Sequence, residues 1–303
     1  MKWLKRNLVT IILILIGLVG GGLIAYPTFA DWWNSFHQSR AVAAYAEAVA
    51  NLDADTYAAI IAEAEDYNLR HMAEGNLFTL SPDQEAEYNS ILAIDSSGIM
   101  GYIDIPKIDV KLPIYHGTDE SVLQVAIGHL AGTSFPVGGE GSHCVLSGHR
   151  GLPSARLFTD IVKLVEGDTF TLTVLDQTYS YQVDQIRIVL PTDLSDLSID
   201  PQQDYCTLVT CTPYGVNSHR LLVRGHRIDN IEGEDVAILP GAIRIPTYIV
   251  IPTVGIPLLF VFLAGMLIYY RRRRPRYEED QLEAQYAAMF TKPKDDGGKP
   301  EAR

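Results

Sequence analysis

Two long uncharged stretches, one near each end, constrain this chain more than anything between them. Leu8–Tyr26 is 19 residues without a charge, and Lys2, Lys5 and Arg6 precede it. Tyr248–Tyr270 is 23 residues without a charge, and Arg271, Arg272, Arg273, Arg274 and Arg276 follow it. Each is long enough to cross a hydrocarbon layer of ~30 Å as a helix. Basic residues lie at the outer end of both runs. The positive-inside rule therefore predicts a two-pass protein of the cell membrane with both termini in the cytoplasm. Pro252 and Pro257 inside the second run are compatible with a membrane helix. A cleaved signal peptide ending near Thr28-Phe29-Ala30 is the competing reading of the first run, which is long for that purpose. Both readings export the middle of the chain.

The exported part, residues 31–247, holds 30 Asp and Glu against 12 Lys and Arg, a net of 18 negative charges. Such a surface suits a polar exterior and disfavours nucleic acid as a partner. Residues 1–30 form the basic start and first span, and 31–97 an exported helical region. Asp55 can cap a helix bearing Ile60, Ile61, Ala64 and Tyr67, with Gly75 as its stop. Ser81-Pro82-Asp83-Gln84 fits a capping box with proline at the first helical position. The helix it opens should reach about Ala93 and carry Tyr88, Ile91 and Leu92.

From Gly98 the pattern changes to short apolar runs punctuated by Gly and Pro. Met100–Ile105, Ile108–Val110, Gln124–His129, His143–Gly148, Thr169–Leu175, Thr178–Leu190, Tyr205–Cys211 and Arg220–Gly225 are strand candidates. Eight short strands within ~130 residues predict a mainly β domain over 98–230, a closed barrel or a sandwich. Ser121–Val125 and Arg156–Leu164 are its short helices. A linker (231–247), the second span (248–270) and a basic, then polar and disordered cytoplasmic tail (271–303) complete the chain.

Chemistry is sparse in this sequence, which narrows the search. The three Cys and eight His lack paired metal-finger spacing, and His143 and His149, six apart, make a poor ligand pair. Gly138-Gly139-Glu140-Gly141 is not followed by a helix opening with Lys-Ser/Thr, so it is no phosphate loop. No metal or cofactor is implied. What remains is a thiol, an imidazole and a guanidinium, each at a strand end. Pro213 should end the strand that carries Cys211, and Arg220 returns nine residues later at the start of the next. His149 lies in Leu-Ser-Gly-His-Arg-Gly, just past another strand. A thiol needs a base or a cationic neighbour to raise its thiolate share near neutral pH. Arginine keeps its proton, so Arg220 suits a developing oxyanion. This is Cys/His acyl-transfer logic.

Several segments together resemble one family. Tyr-Ile-Asp-Ile-Pro-Lys-Ile (102–108), Leu-Pro-Ile-Tyr-His-Gly-Thr (112–118), Ser-Gly-His-Arg-Gly-Leu-Pro-Ser-Ala-Arg-Leu-Phe (147–158) and Thr-Leu-Val-Thr-Cys-Thr-Pro-Tyr-Gly-Val-Asn-Ser-His-Arg (207–220) are similar to the sortases, specifically class C, which assemble pili. The resemblance spans about residues 98–230, and two flanking spans also look like class C. It implies an eight-stranded sortase-type β-barrel with His149, Cys211 and Arg220 as the catalytic set. It also implies a transpeptidase that cleaves an LPXTG-like sorting signal between Thr and Gly through a thioacyl enzyme, and then passes the acyl group to a pilin lysine. Wall anchoring of surface proteins uses the same three residues and stays open. A thiol protease and an inactive binding scaffold are the remaining alternatives.

Two further expectations follow from the resemblance. Many class C sortases carry a lid with an Asp-Pro-aromatic motif. Here Ala73 to Gln84 reads Ala-Glu-Gly-Asn-Leu-Phe-Thr-Leu-Ser-Pro-Asp-Gln, so the lid is expected to be absent, altered or loosely held, with Phe78 packed against the barrel. Cys144 and Cys206 each lie five residues before a catalytic residue, on strands that neighbour each other in that fold. An odd offset points Cys206 away from the face holding Cys211. The pair can be two buried thiols or a disulfide.

Overall fold

The computed structural model describes residues 2–76, 78–230, 260, 264–265 and 277–290. The chain divides into two units, Met1–Arg244 and Ile245–Arg303. In the first unit, eight strands close into a barrel: β1 Ile99–Ile105, β2 Val110–His116, β3 Ile127–His129, β4 Ser142–Ser147, β5 Thr169–Val174, β6 Gln177–Val189, β7 Asp204–Thr212 and β8 His219–Ile228. Their order around the barrel is β1-β2-β3-β4-β7-β8-β6-β5. The β2–β3 and β4–β7 ladders are parallel and the other strand pairs antiparallel.

Three of the expected elements shift, each for a local reason. Ile108–Val110 is not a strand. Pro106, without an N–H, opens a single 3-10 turn, and Asp109 at φ 54° reverses the chain so that β2 begins at Val110. Of Gln124–His129 only β3 is extended, because a short helix α4 (Glu120–Leu123) ends at Gln124. Within Arg156–Leu164 only Ile161–Lys163 winds, as a 3-10 turn, since Leu157 sits at φ 37° and breaks the helical path.

Three helices precede the barrel: α1 Lys2–Ala50, α2 Ala54–Glu74 and α3 Pro82–Ser90. Asp53, not Asp55, caps α2, its carboxylate accepting from the Asp55 and Thr56 N–H groups at 3.1 and 2.9 Å. Gly75 stops α2 at φ 80°. Ser81 and Gln84 form the expected capping box on α3. That helix ends at Ser90, short of Ala93, because Ile91 turns extended and Leu92 takes φ 57°. Tyr45 fastens α1 to the barrel: its buried hydroxyl donates to Met100 O at 2.9 Å and accepts from Leu175 N at 2.8 Å. Tyr88 does the same for α3, bonding His129 Nδ1 and Gly117 N.

The flanking membrane spans are not supported by these elements. Among the described residues no helix is long and apolar enough to cross a membrane. The helix α1 continues without a break into the exported region. Of the run Tyr248–Tyr270 only residues 260 and 264–265 are among those described. In the second unit Tyr277–Phe290 forms a helix, α5, where a disordered tail is expected. Glu283, Ala284 and Gln285 within it are strong helix formers.

The buried residues fall into two layers. Ile103, Ile114, Leu146, Phe170, Leu172, Tyr181, Leu208 and Val223 fill the barrel interior. On β4, β7 and β8 the alternate residues are buried too. Val145 and Leu222 form a second cluster with Leu197, against which Leu130, Val189 and Val209 pack. The loop between β6 and β7 supplies Leu197 and roofs the outer face of these three strands. One sheet segment thus has a core on one side and a groove on the other.

Candidate active site

Side-chain alternation on β7 assigns its cysteines to different layers. Cys206 and Leu208 belong to the interior core, whereas Val209 packs with the outer cluster. Cys211, two residues after Val209, shares the outer face. Across the ladder Cys211 pairs with Arg220 of β8, and Val209 pairs with Leu222. Arg220 and Leu222 both line the outer groove with Leu130, Val189 and Leu194. Cys211 and Arg220 therefore stand side by side at the groove's end, both half-buried. Arg220 Nη1 donates to Asn217 O at 3.2 Å and His219 O at 3.1 Å, which steadies the guanidinium against its own loop.

His149 reaches this point from the loop after β4. Gly148 N donates to Val209 O at 3.1 Å, and Thr210 Oγ1 donates to Gly148 O at 2.7 Å. These two bonds continue the β4–β7 pairing past Ser147 and hold the residue before His149 beside the residue before Cys211. Only glycine fits at 148: a Cβ there would lie 2.7 Å from the Phe158 ring and 2.9 Å from Ile127. Phe158 N closes the loop on His149 O at 3.1 Å. Arg150 Nη1 donates to Thr212 Oγ1 at 3.2 Å, so Arg150 shapes the wall. The three residues expected from the sequence thus lie at neighbouring strand ends, and Arg220 lines the groove.

Glu120 is a neighbour the sequence does not announce. Its Oε2 lies 3.5 Å from His149 Nε2. It sits at the first position of α4, 29 residues from His149, and no spacing rule connects the two. Thr210 is similarly silent, one more β-branched residue in a strand.

Four further histidines and arginines, His143, His129, Arg224 and Arg227, have structural partners. His143 Nδ1 donates to Ser198 O at 2.9 Å and its Nε2 accepts from Thr207 Oγ1 at 2.8 Å. Burial pulls its pKa down to about 4. His129 is buried and stacked on Phe135, with Nε2 donating to Ser134 O. Arg224 pairs with Asp184 at 2.8 Å and Arg227 with Asp204 at 3.9 Å. Cys144 and Cys206 are direct partners on the β4–β7 ladder, as their equal offsets predict, and both are buried free thiols. Burial raises the Cys206 thiol, and its contact with Cys144 raises it further. Phe78 is 39 % exposed, so it is not buried against the barrel as expected. The segment around it is tied down instead by Asn76 Nδ2, which donates to Leu197 O at 2.6 Å.

Residues 103–228 match the family model described as the sortase domain. Sortase C1 from Streptococcus agalactiae is 56 % identical, with a TM-score of 0.62 over 63 % of this chain and 100 % of that one. Sortase C1 of GBS pilus island 1 is 42 % identical, with a TM-score of 0.57 over 63 % of this chain and 92 % of that one. Sortase C of Clostridium perfringens, solved with its C-terminal cell wall sorting motif, is 40 % identical, with a TM-score of 0.54 over 63 % and 99 %. The chain belongs to the sortase family of transpeptidases, with the class C sortases.

Proposed function

We propose that the protein is a pilin-polymerising sortase in which Cys211 is the nucleophile, His149 the proton carrier and Arg220 the oxyanion-stabilising cation. The cross-strand pairing of Cys211 with Arg220, with the His149 loop tied to the same strand through Gly148 and Thr210, carries this reading. The Cys211 thiolate adds to the Thr carbonyl of an LPXTG-like signal lying in the groove. The oxygen takes the negative charge beside Arg220, whose fixed guanidinium stabilises it without titrating. The Thr–Gly C–N bond then breaks, and the glycine amine leaves with a proton from His149. A lysine Nζ attacks the resulting thioester and loses its proton to His149. The thiolate departs, leaving an isopeptide bond.

The apolar floor of Val209, Leu222 and Val189 suits the Leu and Pro of such a signal. Membrane anchoring through two passes, both termini cytoplasmic, is supported by the basic flanks of Leu8–Tyr26 and Tyr248–Tyr270. The aromatic cluster Phe29, Trp32 and Trp33 suits a membrane interface at the outer end of the first run. Likeness to a sortase of a pilus island favours a pilin lysine over a wall amine.

The acceptor is testable with the full chain in detergent and a Leu-Pro-X-Thr-Gly peptide offered to competing amines. Transfer to the side-chain amine of Nα-acetyl-lysine over a peptidoglycan cross-bridge peptide supports pilin polymerisation. Transfer to the cross-bridge amine alone would assign the enzyme to wall anchoring, and hydrolysis alone would make it a protease.

A further inference from the structure

His149 Nε2 is buried and has no hydrogen-bond partner within the protein, although a ring nitrogen enclosed in this way loses its water. The polar atom facing it is Glu120 Oε2 at 3.5 Å, longer than a normal hydrogen bond and within ion-pair reach. The other carboxylate oxygen, Oε1, accepts a short hydrogen bond from Gln124 Nε2 one helical turn on, which fixes the direction of the carboxylate. The backbone behind it is held as well: Gln124 N and Ala126 N close on Glu120 O and Val122 O, and Gln38 of α1 donates to Val125 O at 2.6 Å. An exposed glutamate on a four-residue helix would ordinarily sample many rotamers. This one is held, and it is aimed at the buried, unpartnered nitrogen of the proton carrier.

We infer that Glu120 is a positioning residue for the transpeptidase reaction. It holds the His149 ring through Nε2, leaves Nδ1 as the nitrogen that exchanges protons with thiol and amine, and stabilises the imidazolium that forms when His149 takes a proton. This rests on the reading of His149 as the proton carrier. The logic is that of a nucleophile and base whose base is oriented by a third group. The charged groups around the ring divide cleanly. Cys211 on β7 and Arg220 on β8 lie at the groove, and Arg150 in the same loop is turned to Thr212. Glu120 on α4 supplies the negative charge, at Nε2. His149 also draws the Glu120 carboxyl below its usual range, after the larger effect of Gln124.

Alkylation of Cys211 by iodoacetamide tests this without a substrate, because Cys144 and Cys206 are buried. The rate on the full chain in detergent would be followed from pH 5 to 10 by mass spectrometry of the Cys211 peptide. In the wild type, loss of the His149 proton gives an inflection that His149→Asn abolishes. Glu120→Gln is expected to move that inflection down by roughly half a pH unit, the size of an exposed pair, at an unchanged Tm. Glu120→Asp, which keeps the charge on a shorter arm, should recover part of the shift. A Glu120→Gln profile that superposes on the wild type overturns the assignment while leaving His149 in place. A His149→Asn profile identical to the wild type would instead overturn the catalytic reading of His149, and this assignment with it.

Discussion

Cys211 and Arg220 face each other because β7 and β8 are antiparallel and in register, so neither depends on a flexible loop to meet the other. That rigidity is what an oxyanion site requires, since a preorganised donor need not reorient as charge develops. Arg220→Ala should lower kcat for peptide cleavage by about 10²–10³ with a small effect on KM. Arg220→Lys should recover only part of this, because a point charge does not reproduce the planar fork. Pre-steady-state cleavage of a sorting-signal peptide measures both, and a lysine variant at full rate would show that charge alone suffices. His149, Cys211 and Arg220 stood out as candidates in the sequence because each sits at a strand end, with Gly148 before His149 and Pro213 two residues after Cys211. Glu120 and Thr210 were not, because their roles arise only when α4 and β7 are brought against the His149 loop.

At the scale of elements, strand alternation decides which thiol is chemical and which is structural. The offset of five between Cys206 and Cys211 was readable, and the β4–β7 register bears it out. The boundaries were less readable, because left-handed residues such as Asp109, Leu157 and Leu92 redirect the chain where propensity alone would continue an element. The membrane spans rested on hydropathy alone. Among the described residues no helix is long and apolar enough to cross a membrane, so the first is not supported there. The segment between α2 and α3 has its own prediction. Phe78 is exposed, and no residue from 73–84 lines the groove among the described residues. Phe78→Ala should therefore leave kcat/KM for a sorting-signal peptide within about twofold, a surface-type change. A tenfold rise would identify Phe78 as a plug that competes with substrate.

For the whole molecule, closure of the barrel depends on buried polar groups that are satisfied in one protonation state. His143 donates through Nδ1 and accepts through Nε2, which a second ring proton would forbid. Its pKa falls from an ordinary 6.5 to about 4, chiefly through burial, and burial lowers His71 as well. The unfolded chain thus takes up protons at a higher pH than the folded one, so stability is full above about pH 6.5 and declines as pH falls towards 4. The loss from His143 should be on the order of 3 kcal/mol. Asp104 and Asp204, raised by burial, act in the opposite sense at the acidic end of that window. Urea unfolding at pH 7, 5.5 and 4.5 should show a falling midpoint, and a His143→Gln variant should flatten the trend. A midpoint independent of pH would contradict this account of the buried imidazole. The central claim is that the fold brings one thiol of three to the groove as the acyl carrier. Rapid acid quenching of the full chain with a Leu-Pro-X-Thr-Gly peptide, followed by peptide mapping, tests it directly. The account predicts a thioester to the Thr carbonyl on Cys211, labile to hydroxylamine and absent from Cys211→Ala. An adduct on Cys144 or Cys206, or cleavage that survives in Cys211→Ala, would contradict it.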